Sequence, residues 1–236
     1  MNMKYKKIGI ICAMEIEAAE IRSALSQVQE KTVGGILFHQ GKLGEREVVI
    51  AVCGIGKVFA AMCAQTMILA FSPDAVYNSG VAGSLTERLS ILDIAVSDQL
   101  VQHDMDTTPL GDPPGLISGI NRVFFPGDQD LVEAVAREGA ALGLRILPGT
   151  IASGDQFISK TEQKERIKAC FDPIACEMEG AAIAQVAFVN GTPFCAIRAI
   201  SDAYDGKNEM DYAQFAPAAA HNSARLLISL LEGDLL

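Results

Sequence analysis

The chain reads as an α/β protein in which helices cover a largely parallel sheet, and three observations lead there. Short apolar runs bounded by Gly, Pro or Asp alternate with stretches of helical periodicity. Hydrophobic residues make up 50% of the 236 positions, enough to bury the core of one α/β domain over residues 1–236. Three apolar runs lead into carboxylates: Met14-Glu15-Ile16-Glu17, Cys176-Glu177-Met178-Glu179-Gly180 and Arg198-Ala199-Ile200-Ser201-Asp202. Open α/β sheets bind ligands at the carboxyl ends of their strands, so these junctions are where chemistry is expected.

The elements follow in order. Ile8 to Ala13 is the first strand; behind it Ile21, Ala24, Leu25 and Val28 fall at i, i+3, i+4 and i+7, one helix face with Glu17 in its first turn. Residues 35–40 and 47–53 form a hairpin across Gly41-Lys42-Leu43-Gly44. Gly54-Ile55-Gly56 opens a helix from about Val58 to Phe71, and Pro73-Asp74 breaks before a strand over 75–78. Gly80-Val81-Ala82-Gly83 reads as a turn at that strand's end, followed by a strand over 91–101. Residues 104–126, with Pro109, Pro113, Pro114 and Pro126, form a long irregular loop of the kind that is usually functional or contacts a partner. Helices are expected over 130–142, 161–169, 180–188 and 213–231, and extended chain over 147–153, 171–175 and 194–200.

Composition narrows the function. The 19 basic and 29 acidic residues give a net charge of −10 without a basic block, which disfavours nucleic acid as a partner. The six cysteines form no CxxC pair and four of them lie in apolar runs, which fits a reducing, intracellular compartment. The apolar run near the N-terminus is too short for a secretory signal, and Val58 to Pro73 falls short of a membrane span, so a soluble cytoplasmic protein is expected. Gly54-Ile55-Gly56-Lys57-Val58-Phe59 lacks the third glycine of a dinucleotide fingerprint. No P-loop, HExxH or GxSxG sequence occurs, and His39, His103 and His221 are scattered, so neither metal nor cofactor is expected. Each acidic junction also has a plain reading. Glu177 and Glu179 would be solvated charges at a strand end, Ser201-Asp202 a turn, and Glu17 a helix-dipole partner. Three such junctions beside glycines weigh toward a site with several acid/base or hydroxyl-binding groups.

At these residues the chain resembles the 5′-methylthioadenosine/S-adenosylhomocysteine nucleosidases of the purine nucleoside phosphorylase-like superfamily. The matching segments are residues 8–17, Cys53-Gly54-Ile55-Gly56-Lys57-Val58, Asn78-Ser79-Gly80-Val81-Ala82-Gly83, Ser153-Gly154-Asp155-Gln156-Phe157-Ile158, Glu177-Met178-Glu179 and Arg198 to Asp202. They span nearly the whole chain in the family's order.

The resemblance implies a three-layer α/β/α fold with a central mixed, twisted sheet, and hydrolysis of the N-glycosidic bond of adenine thionucleosides without a cofactor. By position, Asp202 would be the general acid toward adenine N7 and Glu17 the base on the attacking water, which Arg198 helps to orient. Glu179 would bind the ribose 2′-hydroxyl beside Met178. Phe157 would stack on adenine and the Ile158 backbone read its edge, with Ala82 and Gly83 beneath. Ile55, Met14 and Tyr212 would wall the alkylthio end, and Ser201 would position Asp202. Val81 stands where many relatives carry Ser or Thr, and the loop from His103 to Gly115 lacks their aromatic-rich continuation. In the family this loop reaches the neighbouring subunit's pocket, so a homodimer is expected. Three rivals remain at this stage: a phosphorylase, a futalosine-type hydrolase, and a nucleoside-binding protein without turnover.

Overall fold

Residues 4–205, 208–233 and 235 are described by the structure, a computed structural model. The strands are β1 (Lys7–Cys12), β2 (Ser26–Val33), β3 (Ile36–Leu43), β4 (Arg46–Val52), β5 (Ala75–Ser84), β6 (Ile94–Gln102), β7 (Phe124–Pro126), β8 (Ile146–Ser153), β9 (Ala175–Glu177) and β10 (Phe194–Asp202). The helices are α1 (Glu15–Ala24), α2 (Lys57–Phe71), α3 (Gln129–Ala141), α4 (Thr161–Phe171), α5 (Gly180–Asn190) and α6 (Asn208–Glu232).

These strands join in one mixed sheet. β1 lies parallel between β4 and β5, and β3 and β2 continue antiparallel to an edge. Beyond β5 the sheet closes on itself: β5 pairs β10, β10 pairs β6, β6 pairs β8, β8 pairs β9, and β9 returns to β5. Register in this ring sets Gln102 beside Ser153, Ser153 beside Glu177, Cys176 beside Gly83, and Gly83 beside Asp202. The acidic strand ends therefore converge.

Side-chain alternation along the central strands supplies the layers. Ile8 and Ile10 of β1 enter one apolar cluster with Ile21 of α1, Leu131 of α3 and Leu226 of α6. Ile11 points the other way, into a cluster with Met67 of α2 and Ile183 of α5. Both faces of the sheet are covered, which explains why β1 and β10 read as unbroken apolar runs.

Several expected boundaries move. α1 stops at Ala24, because Leu25 takes an extended backbone and Gln27 a left-handed one, and exposed Val28 belongs to β2. β2 was not expected at all; as a polar edge strand it shows no two-residue hydrophobic period. The hairpin turn lies at Gly44-Glu45, since β3 runs through Gly41 to Leu43. Residues 80–83 are not a turn but the continuation of β5, and Phe171 ends α4 rather than starting β9. Within the expected loop, Thr108–Leu110 forms a 3-10 turn, β7 pairs β6, and Ile117 is buried against the chain's own second cluster. Among the described residues no helix is long and apolar enough to cross a membrane.

Candidate active site

The converging strand ends enclose a cavity of about 260 Å³. Of the residues singled out in the sequence, Glu17, Glu179, Arg198 and Asp202 line it together with Met14, Ile55, Ala82, Gly83, Phe157, Met178, Ser201 and Tyr212. Ile158 instead borders a smaller space that shares Gly83, Phe157, Met178 and Asp202 with the main one. Ala13, Cys176 and Glu177 also line the cavity, and Val81 does so with a methyl-bearing side chain in place of a hydroxyl.

Glu17 reaches the cavity from the first turn of α1. Its Oε2 accepts from the backbone N–H groups of Ala13 and Met14, both at 2.9 Å, and Oε1 accepts from Val81 N–H at 3.0 Å. Burial raises its pKa above the usual carboxylate value, opposed by Arg198 and by these N–H donors. The side chain is fixed by the backbone just past β1 and by that of β5, and burial enhances its basicity.

Arg198, fully buried in β10, ties two acids and an amide together. Its Nη2 donates to Asn78 Oδ1 and Glu177 Oε2 through short contacts, and to Glu179 Oε2 at 3.4 Å. Burial opposes its charge, but Glu177, Glu179 and Glu17 outweigh this and raise its pKa. Glu179 at the start of α5 accepts from Gly56 N–H at 2.9 Å, while burial, and to a lesser degree Glu177 and Glu17, push its pKa to about 7 against the pull of Arg198. Asp202 closes β10, and Ser201 Oγ donates to its Oδ1 at 2.9 Å. Glu177 and Glu179 are 8% and 3% exposed, so the solvated-charge reading does not hold for them, and Glu17 and Asp202 are buried as well.

The close packing of β5 makes this possible. A Cβ at Gly80 would run into Glu17 Oε1 and the Arg198 guanidinium, and one at Gly83 would meet Asp202 Oδ2 at 2.7 Å. The glycines read as turn formers are required for close approach instead.

Glu177 is the residue to which sequence reasoning gave no role. Ser153 Oγ donates to its Oε1, and the N–H groups of Glu179 and Gly180 donate to its Oε2 at 3.0 and 2.7 Å. It caps α5 and anchors Arg198. The i, i+2 spacing of Glu177 and Glu179 was the available signal, and both do meet the same guanidinium.

A family model described as the phosphorylase superfamily matches residues 7–232. A 5′-methylthioadenosine/S-adenosylhomocysteine nucleosidase of Shewanella loihica is 39% identical over 228 residues, covering 96% of this chain and 99% of that protein. The Helicobacter pylori enzyme of the same name, complexed with a pyrrolopyrimidinyl pyrrolidinol, matches with a TM-score of 0.92 at 38% identity, over 96% of this chain and 98% of that one. A futalosine hydrolase of H. pylori matches with a TM-score of 0.92 at 37% identity, over 96% and 97% of the two chains. Sequence, fold and the acids gathered at the strand ends agree: the chain belongs to the phosphorylase superfamily, among its 5′-methylthioadenosine/S-adenosylhomocysteine nucleosidases.

Proposed function

We propose that the protein hydrolyses the N-glycosidic bond of 5′-methylthioadenosine and S-adenosylhomocysteine, and of 5′-deoxyadenosine, releasing adenine and the 5′-substituted ribose. One observation carries the reading. Two buried carboxylates, Glu17 and Asp202, line one cavity from different elements and pack against Gly80 and Gly83 of β5. That arrangement suits a nucleoside whose C1′ receives water at one end and whose N7 receives a proton at the other.

Glu17 takes a proton from water as the oxygen attacks C1′, and the electron pair of the breaking C1′–N9 bond passes into adenine. Asp202, held by Ser201, gives its proton to N7, so the base leaves neutral. Positive charge develops on the ribose, and Glu179 accepts the 2′-hydroxyl and stabilises that charge electrostatically. Arg198 keeps Glu177 and Glu179 in place, and its buried Nε–H, without a protein acceptor among the described residues, is a donor for the attacking water. Phe157 stacks on adenine and Ile158 reads its edge, with Ala82 and Gly83 beneath the base. Met178 borders the ribose, and Met14, Ile55 and Tyr212 wall the 5′-substituent.

The nucleophile in this reading is water. A phosphate dianion needs cationic donors, whereas Arg198 is engaged by Glu177 and Glu179 and Glu17 stands beside it. Adenine release from methylthioadenosine tests this in phosphate-free buffer with a chelator, where undiminished turnover to the free thio-sugar is expected. Formation of a sugar 1-phosphate that depends on added phosphate, or activity restored only by metal, would overturn it. The futalosine hydrolase likeness supports a second reading in which the 5′-substituent is larger. Comparing kcat/KM for futalosine and methylthioadenosine separates the two.

We also propose a homodimer whose partner loop, from about His103 to Ile120, closes the alkylthio end. Ile55 and Phe157 are more than two-fifths exposed at the cavity mouth, and Leu110 is 83% exposed. On α2, Val58, Phe59, Met62 and Leu69 are exposed as well, an apolar surface of the kind that marks a contact.

A further inference from the structure

Helix α4 follows directly on the Phe157-Ile158 loop and carries Lys164, a residue only 1% exposed. Its Nζ donates to the carbonyl oxygens of Ala203 and Tyr204, at 2.9 and 2.8 Å, the two residues immediately after Asp202. Tyr204 is bound to the same helix a second time: its ring lies 4.6 Å from Lys168 Nζ and its hydroxyl contacts Glu165. Burying an ammonium costs free energy that an apolar side chain of similar length would not, so its presence is explained by what it holds rather than by packing.

We propose that Lys164 is the positioning residue for the proton donor, its ammonium pinning the turn after Asp202 to α4 so that the carboxyl stays at the cavity wall beside the adenine-stacking loop. The inference rests on the assignment of Asp202 as general acid.

The ammonium also acts through its charge. Burial lowers its pKa, while Asp202, Cys176, Asp205 and Asp211 favour its charged form. Among the described residues, Asp202 acts on the titration of this lysine on α4, of the Cys176 thiol on β9, pushed up to about 12 chiefly by burial, and of the Tyr212 phenol on α6, raised for the same first reason. Among these three, Lys164 is the one basic group, and Asp202 favours its charged form. Removing a cation beside a carboxylic acid makes the acid keep its proton to higher pH.

Three variants separate the contributions. Lys164→Met removes donors and charge, Lys164→Gln keeps donors without charge, and Lys164→Arg keeps both. The Met variant should lose about tenfold or more in kcat, since small displacements of a catalytic group cost this much or more. Both uncharged variants should move the alkaline limb of the kcat profile to higher pH, while Arg restores rate and profile. A folded Met variant with wild-type kcat and profile would overturn the proposal. If Met does not fold, a Gln variant with an unshifted limb does so. Asp202→Asn measured in parallel distinguishes the two levels: turnover retained there sinks the acid assignment itself, whereas an inactive Asn variant beside an unaffected Met variant sinks only the role of Lys164.

Discussion

Asp202 and Glu17 are oriented by different means, and their replacements should fail in different ways. Ser201 Oγ donates to Asp202 Oδ1, so Asp202→Asn keeps shape and that contact while losing the transferable proton. We expect kcat to fall about 10²-fold or more with nucleoside binding retained, the scale of a general-acid contribution, measured by steady-state kinetics and calorimetry. Glu17 instead satisfies three backbone donors, and a Gln amide turns one acceptor oxygen into a donor facing N–H groups. Glu17→Gln should therefore stop hydrolysis and also lower Tm. Glu179 gives a pH signature. Burial raises its pKa to about 7 in the fold, whereas an unfolded glutamate titrates at about 4.3. Between these values the native state binds more protons, so this residue's contribution to stability is full below about pH 4 and is lost as pH rises to about 7. Urea midpoints for the wild type and Glu179→Gln, compared at pH 4, 5.5 and 8, should reveal that loss as a difference confined to the wild type. Parallel pH profiles for the two proteins would remove the assigned shift.

At the level of the element, β5 is the plate against which Glu17, Arg198 and Asp202 pack. Gly80→Ala pushes a methyl group into Glu17 and Arg198 at once. It should cost about 1–3 kcal/mol of stability, as overpacking does, and lower kcat/KM by more than a comparable change elsewhere on the strand. Far-UV circular dichroism with the adenine-release assay checks this; an Ala variant with full activity would show that the plate tolerates the displacement. The same strand marks what the sequence disclosed and what it hid. Glycine next to apolar residues matches a turn locally, and only the partners packed above Gly80 and Gly83 reveal that the strand continues. Elements with strong apolar periods, β1, α2 and β10, were legible within a residue or two. β2 was hidden because an exposed edge strand carries polar residues on both faces. In the site, the carboxylates were legible because acids at the ends of apolar runs are conspicuous. Lys164 and Glu177 were less so, since what defines them is a set of contacts between segments far apart in sequence.

For the molecule as a whole, the exposed apolar surface on α2 and Leu110 predicts assembly. Leu110→Asp and Val58→Asp place charges on side chains that are 83% and 70% exposed in one chain, so the subunit fold should survive them. Sedimentation should nevertheless show weakened dimers, and KM should rise more for S-adenosylhomocysteine than for methylthioadenosine. Ile117 is a poorer target, because it belongs to the chain's own core. A wild-type protein that sediments as a fully active monomer would end the shared-site model. The closed ring of β5, β10, β6, β8 and β9 carries a consequence for how the enzyme comes into being. Arg198 and Asp202 lie on β10, the strand made last, and they complete a site whose other acids, Glu17, Glu177 and Glu179, were synthesised earlier. Until β10 slots between β5 and β6, those three carboxylates have no guanidinium to answer their charge. A nascent chain thus holds its acids in water, and the low-dielectric environment that tunes them arises only in the step that closes the ring, a pairing between residues more than a hundred apart that chain-closure entropy makes slow.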